Sequence, residues 1–233
     1  MLLIDGDIVA YRVSYTTADA SEPIINTTVD NYLTDLIAKA YAAVNSEGDY
    51  RIYLTGNNNF RYDVAVSYPY KGNRTTEKPT NLSYIRRYLI DQWDAVLVHN
   101  EEADDAIAIA ATGNPDTVIV SIDKDFLQVP GTHYNMNNGL VTVVNDVDGL
   151  RFFYKQILTG DRVDNIVGIK GIGPKRASAL IDGLTTEEEM YKTVVDTYKE
   201  HNMDVERVIE NAKLLWLRRY EGQTWEPPSA GQE

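Results

Sequence analysis

The stretch Ala95-Val-Leu-Val-His-Asn-Glu-Glu-Ala-Asp-Asp-Ala-Ile-Ala-Ile-Ala-Ala-Thr-Gly-Asn-Pro-Asp-Thr-Val-Ile-Val-Ser-Ile-Asp-Lys-Asp125 decides the fold class. Ala95 to Val98 and Thr117 to Val120 are short apolar runs rich in branched residues, the composition of strands buried on both faces. Between them Ala103 to Ala111 reads as a helix that stops at Gly113-Asn114-Pro115, a C-terminal cap followed by a breaker. Strand, helix and strand in this order predict a right-handed βαβ crossover. Each strand leads into acids: Glu101-Glu102-Ala103-Asp104-Asp105 after the first, Asp123-Lys124-Asp125 after the second.

Toward the N-terminus the same grammar repeats. Leu2-Leu3-Ile4 and Arg51-Ile-Tyr-Leu54 are two further short apolar runs, and the segments from about Val29 to Val44 and from Leu82 to Trp93 supply helices. In the second of these, Leu82, Ile85, Leu89 and Trp93 recur at spacings of three and four and mark one buried face. The alternation predicts an α/β fold with a mainly parallel sheet flanked by helices. Toward the C-terminus, His133 to Met136, Asn137-Asn138-Gly139 and Leu140 to Val144 read as a hairpin with an Asn-Gly turn. A helix from about Gly149 to Thr159 follows, with Asp148 as N-cap and Gly160 as its stop. Beyond Asp161 the pattern is helical to the end, including Glu187 to Lys199 and Val205 to Tyr220. The expected division is an α/β domain over 1–155, a helical region over 156–222 and a polar tail over 223–233, fraying from Glu226 to Glu233.

With 233 residues, 43% hydrophobic and 10% aromatic, the chain can bury one substantial core, or one core and a helical appendage. The absence of cysteine excludes a disulfide framework, a thiolate zinc site and a cysteine nucleophile, and suits a reducing interior. Met1-Leu-Leu-Ile-Asp5 meets an acid too soon for a signal peptide, and no apolar run approaches the roughly 20 residues that cross a bilayer. The expectation is a soluble cytoplasmic protein with no membrane partner. A formal net charge of −13 argues against a nucleic-acid partner, unless converging carboxylates bind divalent cations that reverse the local field.

The acids are placed for that. Asp5 closes the first strand, Glu102, Asp104 and Asp105 follow the third after a short turn, and Asp123 and Asp125 follow the fourth. In a parallel sheet these positions share the C-terminal edge, where open α/β folds place their ligands. A cluster of bare carboxylates repels itself, and magnesium or manganese with water and carboxylate ligands resolves the conflict. Asp161 and Asp164 stand three apart and face one way if their stretch is helical. Two metal ions about 3.5–4 Å apart can activate water and stabilise the leaving oxygen of a phosphodiester. One such acidic pair alone reads as a solvated loop or a helix start. Their joint placement after three strands and one helix points to metal.

The run Ile166-Val-Gly-Ile-Lys-Gly171-Ile172-Gly173-Pro174-Lys175-Arg176-Ala177-Ser-Ala-Leu-Ile181 reads as a helix-hairpin-helix. Gly171 and Gly173 permit a tight turn, Ile172 plugs the interface, and Pro174 suits the first turn of the second helix. The amides at that helix start, with Lys175 and Arg176 beside them, can meet a DNA phosphate without reading sequence. Tyr70-Lys71-Gly72-Asn73-Arg74, with Lys78, Arg86 and Arg87 beyond, is a second basic cluster, by itself no more than a solvated loop.

Taken in order, Leu-Ile-Asp5-Gly, Tyr-Lys71-Gly-Asn-Arg74, Glu102-Ala-Asp104-Asp105, Ser-Ile-Asp123-Lys-Asp125, Gly-Asp161-x-x-Asp164-Asn-Ile and Gly-Ile-Gly-Pro-Lys-Arg resemble the flap endonuclease superfamily from residue 2 to about 181. Within it the chain is similar to bacteriophage 5′→3′ exonucleases and to the 5′ nuclease domain of bacterial DNA polymerase I. The resemblance implies a PIN-like, flap-endonuclease-type α/β domain with a C-terminal helix-hairpin-helix (helix-three-turn-helix) region. It implies that Asp5, Glu102, Asp104, Asp105, Asp123, Asp125, Asp161 and Asp164 hold two Mg2+ ions, with Mn2+ substituting, directly or through water. It further implies that Lys71 and Arg74 stabilise the scissile phosphate and that Arg12, Gly171, Gly173, Lys175 and Arg176 meet DNA. Potassium on the hairpin carbonyls, a monomer, a duplex 5′ end or 5′ flap as substrate, and a role in DNA replication in a bacterial cytoplasm follow in the same way. Activity on RNA in hybrids stays open. Two departures stand out: Thr55-Gly56-Asn57 replaces the aspartate usual at the end of the second strand, and the stretch from Lys71 to Trp93 is short for a helical arch.

Two other readings compete. Asp5-Gly6-Asp7, Thr55 and Gly160-Asp161 imitate the motifs of a haloacid-dehalogenase-like phosphatase, which leaves Glu102 to Asp105, Asp123, Asp125 and the hairpin unexplained. In a non-catalytic DNA-binding module only the hairpin would matter.

Overall fold

The computed structural model describes residues 1–228. The chain begins with β1 (Leu2–Asp5), α1 (Gly6–Thr16), α2 (Glu22–Ala43), β2 (Tyr50–Asn59), the single turn α3 (Arg61–Val64), α4 (Leu82–Trp93) and β3 (Val96–Asn100). It continues with α5 (Ala103–Ala111), β4 (Val118–Ser121), a 3-10 turn over Lys124–Gln128, and the hairpin of β5 (Gly131–Asn135) and β6 (Val141–Val144). Then come α6 (Asp146–Thr159), the short strands β7 (Gly160–Asp161) and β8 (Ile166–Val167), and the helices α7 (Pro174–Ile181), α8 (Glu187–Glu200) and α9 (Val205–Leu215). Among the described residues no helix is long and apolar enough to cross a membrane.

The chain divides into two compact units that interleave along the sequence. The first takes 1–58, 76–126 and 131–144; the second takes 59–75, 127–130 and the chain from 145 onward. Residue 155, where the sequence suggests a change of character, lies inside α6, and α6 falls whole in the second unit.

The first unit is built on a six-stranded sheet in the order β3-β2-β1-β4-β5-β6. β1 runs parallel to β2 and to β4, β4 runs parallel to β5, and within this sheet the β5–β6 hairpin is the antiparallel pairing described. Side chains alternate across the sheet. Leu2, Ile4, Ile52, Leu54, Val118 and Val120 face one core with Val9 and Val13 of α1, Val29 and Leu33 of α2, and Ile85 and Leu89 of α4. α5 packs against β1, β3 and β4.

The helix α1, which the sequence reading did not anticipate, starts without a connecting loop. Asp5 is at once the last strand residue and the N-cap, its carboxylate accepting from Ile8 N at 3.1 Å. Gly6 permits this abrupt turn, since a Cβ there would lie 2.6 Å from Tyr53 O and 2.7 Å from Ile52 Cγ2. α2 also starts earlier than expected, at Glu22 with Pro23 in its first turn, where a missing N–H costs nothing. In α6 the N-cap is Asn145, which accepts from Asp148 N at 2.8 Å, so Asp148 is a first-turn residue and not the cap expected for it.

The second unit packs α6, α7, α8 and α9 around Phe153, Tyr154, Ile157, Leu158, Val194, Tyr198 and Val208. Burying each large side chain of this kind contributes about 1.5–3 kcal/mol. α9 ends at Leu215, five residues before the expected Tyr220. The buried Arg61 guanidinium donates to the carbonyls of Leu214 and Trp216, at 2.8 Å each, and Gln128 donates to Leu215 O at 2.9 Å. Orphaned end carbonyls thus find side chains, and the chain turns away. The segment expected to open a polar tail carries Trp225, which is buried against Phe153 and Tyr191. Residues 229–233, within the stretch expected to fray, lie outside the described residues.

Candidate active site

Parallel strands bring the carboxylates of the first unit to one edge. Ser121, the last residue of β4, donates to Asp5 Oδ2 at 2.7 Å and accepts from Asp123 N at 3.0 Å. Asp123 in turn accepts from Asp125 N at 2.9 Å, and Lys124 Nζ lies 3.9 Å from Asp125. One serine therefore ties the end of β1 to the acidic turn after β4. Burial pushes the Asp5 carboxyl up to about 7, and repulsion from Asp7 and Asp123 adds to this against the bonds from Ser121 and Ile8.

Glu102 and Asp105 begin α5 as a reciprocal capping box, Glu102 N donating to Asp105 Oδ2 at 3.2 Å. Asp105 is fully buried, Glu102 is nearly so, and Asp104 stands half-buried on the same first turn. Ala103 N donates to Thr55 Oγ1 at 2.9 Å, which fastens this helix start to β2. Among the described residues no three acids or histidines are already gathered as the ligands of a single ion. Hard cations such as magnesium keep several waters and need only one or two carboxylates each, so a spread row of acids still suits them.

The departure at the end of β2 has a local structure of its own. β2 continues to Asn59, well past the Leu54 at which the sequence reading stopped it. Thr55 N donates to Asp7 Oδ2 at 3.0 Å, and Arg86 of α4 pairs with Asp7 and donates to Thr55 O. A Cβ on Gly56 would lie 2.4 Å from Val98 O, so that position has no room for an acid. Asn57 is exposed, its backbone N–H donating to His99 Nδ1 at 3.3 Å. Arg12 lies in the same unit, bonded to Tyr32 Oη at 3.0 Å and to the Asn137 side chain.

The other expected site residues belong to the second unit. The stretch holding Asp161 and Asp164 is not helical: it is the turn between β7 and β8, so helical spacing does not align the two acids. Asp161 is buried and accepts from Val163 N at 2.7 Å and Asp164 N at 3.3 Å. Asp164 faces the basic loop. It accepts from Tyr70 Oη at 2.7 Å and from Arg74 at 2.7 Å, with Lys71 Nζ at 3.8 Å. Further bonds lace the two segments together: Lys71 N to Asp164 O at 2.9 Å, Asn73 to Arg162 O at 2.6 Å and Asn165 to Pro69 O at 2.9 Å.

In the expected DNA clamp, β8 stands where the first helix was placed, and α6 precedes it across the β7–β8 turn. Gly160 and Gly168 let these segments touch, each Cβ otherwise falling 2.3 Å from opposing backbone. Gly171 takes a φ of +87°, Ile172 is buried, and Gly173 leads into α7 with Pro174 in its first turn. Lys175 and Arg176 are exposed, and Arg176 donates to Gly171 O at 3.1 Å.

Asp7, Thr55, Arg86, Ser121 and Tyr70 are members of these arrangements to which the sequence reading gave no role in a nuclease site. Ser121 carried a usable signal, as the polar residue between a buried strand and two acids.

No family model matches the chain. A 5′-3′ exonuclease of Mycoplasmopsis pulmonis is 26% identical over 211 residues, covering 84% of this chain and 70% of that protein. The flap endonuclease Xni of Shewanella halifaxensis is 30% identical over 147 residues, covering 57% of this chain and 58% of the relative. The DNA polymerase I of Borreliella burgdorferi is 34% identical over 130 residues, which is 14% of its length. In fold, the chain matches the bacteriophage T5 5′-exonuclease bound to divalent metal ions (zinc) with a TM-score of 0.67 at 18% identity, over 92% of this chain and 88% of that one. It also matches a T5 flap endonuclease in complex with DNA and metal ions, with a TM-score of 0.65 at 17% identity, over 91% and 88%. In sequence and in fold, then, the chain is similar to 5′ nucleases.

Proposed function

We propose that this chain is a divalent-metal-dependent 5′ nuclease that hydrolyses DNA phosphodiesters, as a 5′→3′ exonuclease, a structure-specific flap endonuclease, or both. The observation that carries the reading is Asp5, a buried carboxyl at a strand end that two neighbouring acids push further toward neutrality. A fold does not keep such a repulsive edge for stability, and a bound cation relieves it. Asp5, Glu102, Asp104, Asp105, Asp123 and Asp125 are the proposed holders of Mg2+ or Mn2+, two ions in all, and the resemblance alone adds Asp161. Bound there, the ions supply an activated water and stabilisation of the leaving oxygen.

The chain's own basic residues do the rest. Lys71 and Arg74 are proposed to meet charge developing on the phosphate. The amides at the start of α7, with Lys175 and Arg176, are proposed to hold the DNA backbone without reading sequence, aided by Arg12 and by potassium on the turn carbonyls around Gly171 and Gly173. The chain is proposed to act as a monomer in the cytoplasm, on duplex 5′ ends or flaps. A haloacid-dehalogenase-like phosphatase is not favoured: Asp7, the acid such an enzyme would use, is occupied by Arg86 and Thr55 N. A purely binding module is not favoured by relatives named as exonucleases and flap endonucleases.

The test is to incubate a labelled DNA duplex and a phosphomonoester with the chain, each with magnesium and with chelator. Cleavage of DNA alone, and only with metal, is the expected result. Release of phosphate from the monoester would favour the phosphatase, and DNA binding without cleavage would favour the binding module.

A further inference from the structure

The carboxylate of Asp164 is only 18% exposed, and both of its oxygens are taken. Oδ1 accepts from Arg74 at 2.7 Å, Oδ2 accepts from Tyr70 Oη at 2.7 Å, and Lys71 Nζ stands 3.8 Å from Oδ2. The backbone repeats the link, because Lys71 N donates to Asp164 O at 2.9 Å. Lys71 needs such anchoring: its φ is +54°, a conformation that a non-glycine residue holds only when its surroundings impose it. Its ammonium also lies over the Tyr70 ring, 4.9 Å from the centroid, so tyrosine, lysine and arginine converge on one acid.

Resting on the nuclease reading, we infer that Asp164 is the positioning residue of the Lys71 and Arg74 pair, its carboxylate holding these two cations and Tyr70 in register. A lysine and an arginine brought together repel each other and wander on long side chains. One carboxylate between them removes both problems and aims the pair at an incoming phosphate. A carboxylate oxygen that accepts a hydrogen bond keeps a second lone pair, so metal uptake, and not the hydrogen bonds alone, separates this role from that of a metal ligand.

The test compares Asp164→Asn with Asp123→Asn by two readouts that do not depend on cleavage and by steady-state kinetics. In chelator, Asp164→Asn should bind a fluorescent DNA duplex about threefold or more tighter at low salt, with a salt slope steeper by about 1, because one internal counter-charge has been removed. Calorimetric titration with manganese, without DNA, should be unchanged in Asp164→Asn and weakened in Asp123→Asn. With magnesium, turnover of Asp164→Asn should fall about tenfold or more while KM falls or holds, since the cations are present but no longer aimed. Tyr70→Phe, which keeps every charge, should lower turnover less and leave the salt slope alone. It also serves if Asp164→Asn fails to fold, in which case unchanged turnover in Tyr70→Phe overturns the inference. Weakened manganese binding in Asp164→Asn, with wild-type DNA binding in chelator, overturns it too. If the wild-type chain takes up no manganese and cuts nothing, the nuclease reading fails, while the chelator comparison still decides the role of Asp164.

Discussion

Asp5 is a carboxyl kept where a charge is costly, 3% exposed and beside Asp7 and Asp123. Its folded pKa is raised to about 7 from the ordinary 3.8, so the folded chain binds the proton more readily than the unfolded one. Its contribution to stability is therefore complete below 3.8 and lost as pH rises through 7. Metal-free protein should gain stability on the order of a few kcal/mol as pH falls across this window, and so melt at higher temperature, and Asp5→Asn should flatten the dependence. Thermal melts of both proteins across pH check this, and parallel profiles would remove the charge conflict from the account. The same substitution should reduce cleavage by about 100-fold or more. Strand-end acids such as Asp5 and Asp123 are legible in a sequence because parallel topology fixes where strand ends lie. Arg86 and Thr55 were not, because their pairing with Asp7 joins positions far apart in the chain and no spacing rule connects them.

At the scale of elements, α4 and α5 match the sequence reading at both ends because apolar spacing or a cap marks each boundary. α1 was invisible: it follows β1 without a loop, and its start depends on how closely Gly6 approaches Tyr53, a contact only the folded sheet reveals. Gly6→Ala should accordingly destabilise the chain by about 2–4 kcal/mol, since the opposing atom is backbone and cannot swing aside. The end of α9 was misplaced for a related reason, as its last carbonyls are taken by Arg61 and Gln128 from elsewhere in the second unit. Arg61→Met should cost about 3 kcal/mol or more by leaving buried carbonyls without donors, read by chemical denaturation. Little change in either variant would show that these contacts do not hold the elements in place.

The whole molecule carries a formal charge of −13 and yet is assigned a polyanionic substrate. The account resolves this by making binding depend on a few exposed cations and on divalent ions that reverse the field of the acidic edge. Lys175→Ala with Arg176→Ala should weaken DNA binding similarly for every sequence and lower the salt slope by about 2, with metal uptake unchanged. Loss of manganese binding in that double variant would mean that the clamp and the metal site had been wrongly separated. The central claim, metal-dependent cleavage from a 5′ end, is tested most directly by following one DNA duplex labelled at the 5′ end of a strand and, separately, at its 3′ end, with magnesium and with chelator. The account predicts that magnesium releases short products from the 5′ label at once while the 3′-labelled strand survives as long fragments, and that chelator stops both. Short products appearing first from the 3′ label, or cleavage undiminished in chelator, would contradict it.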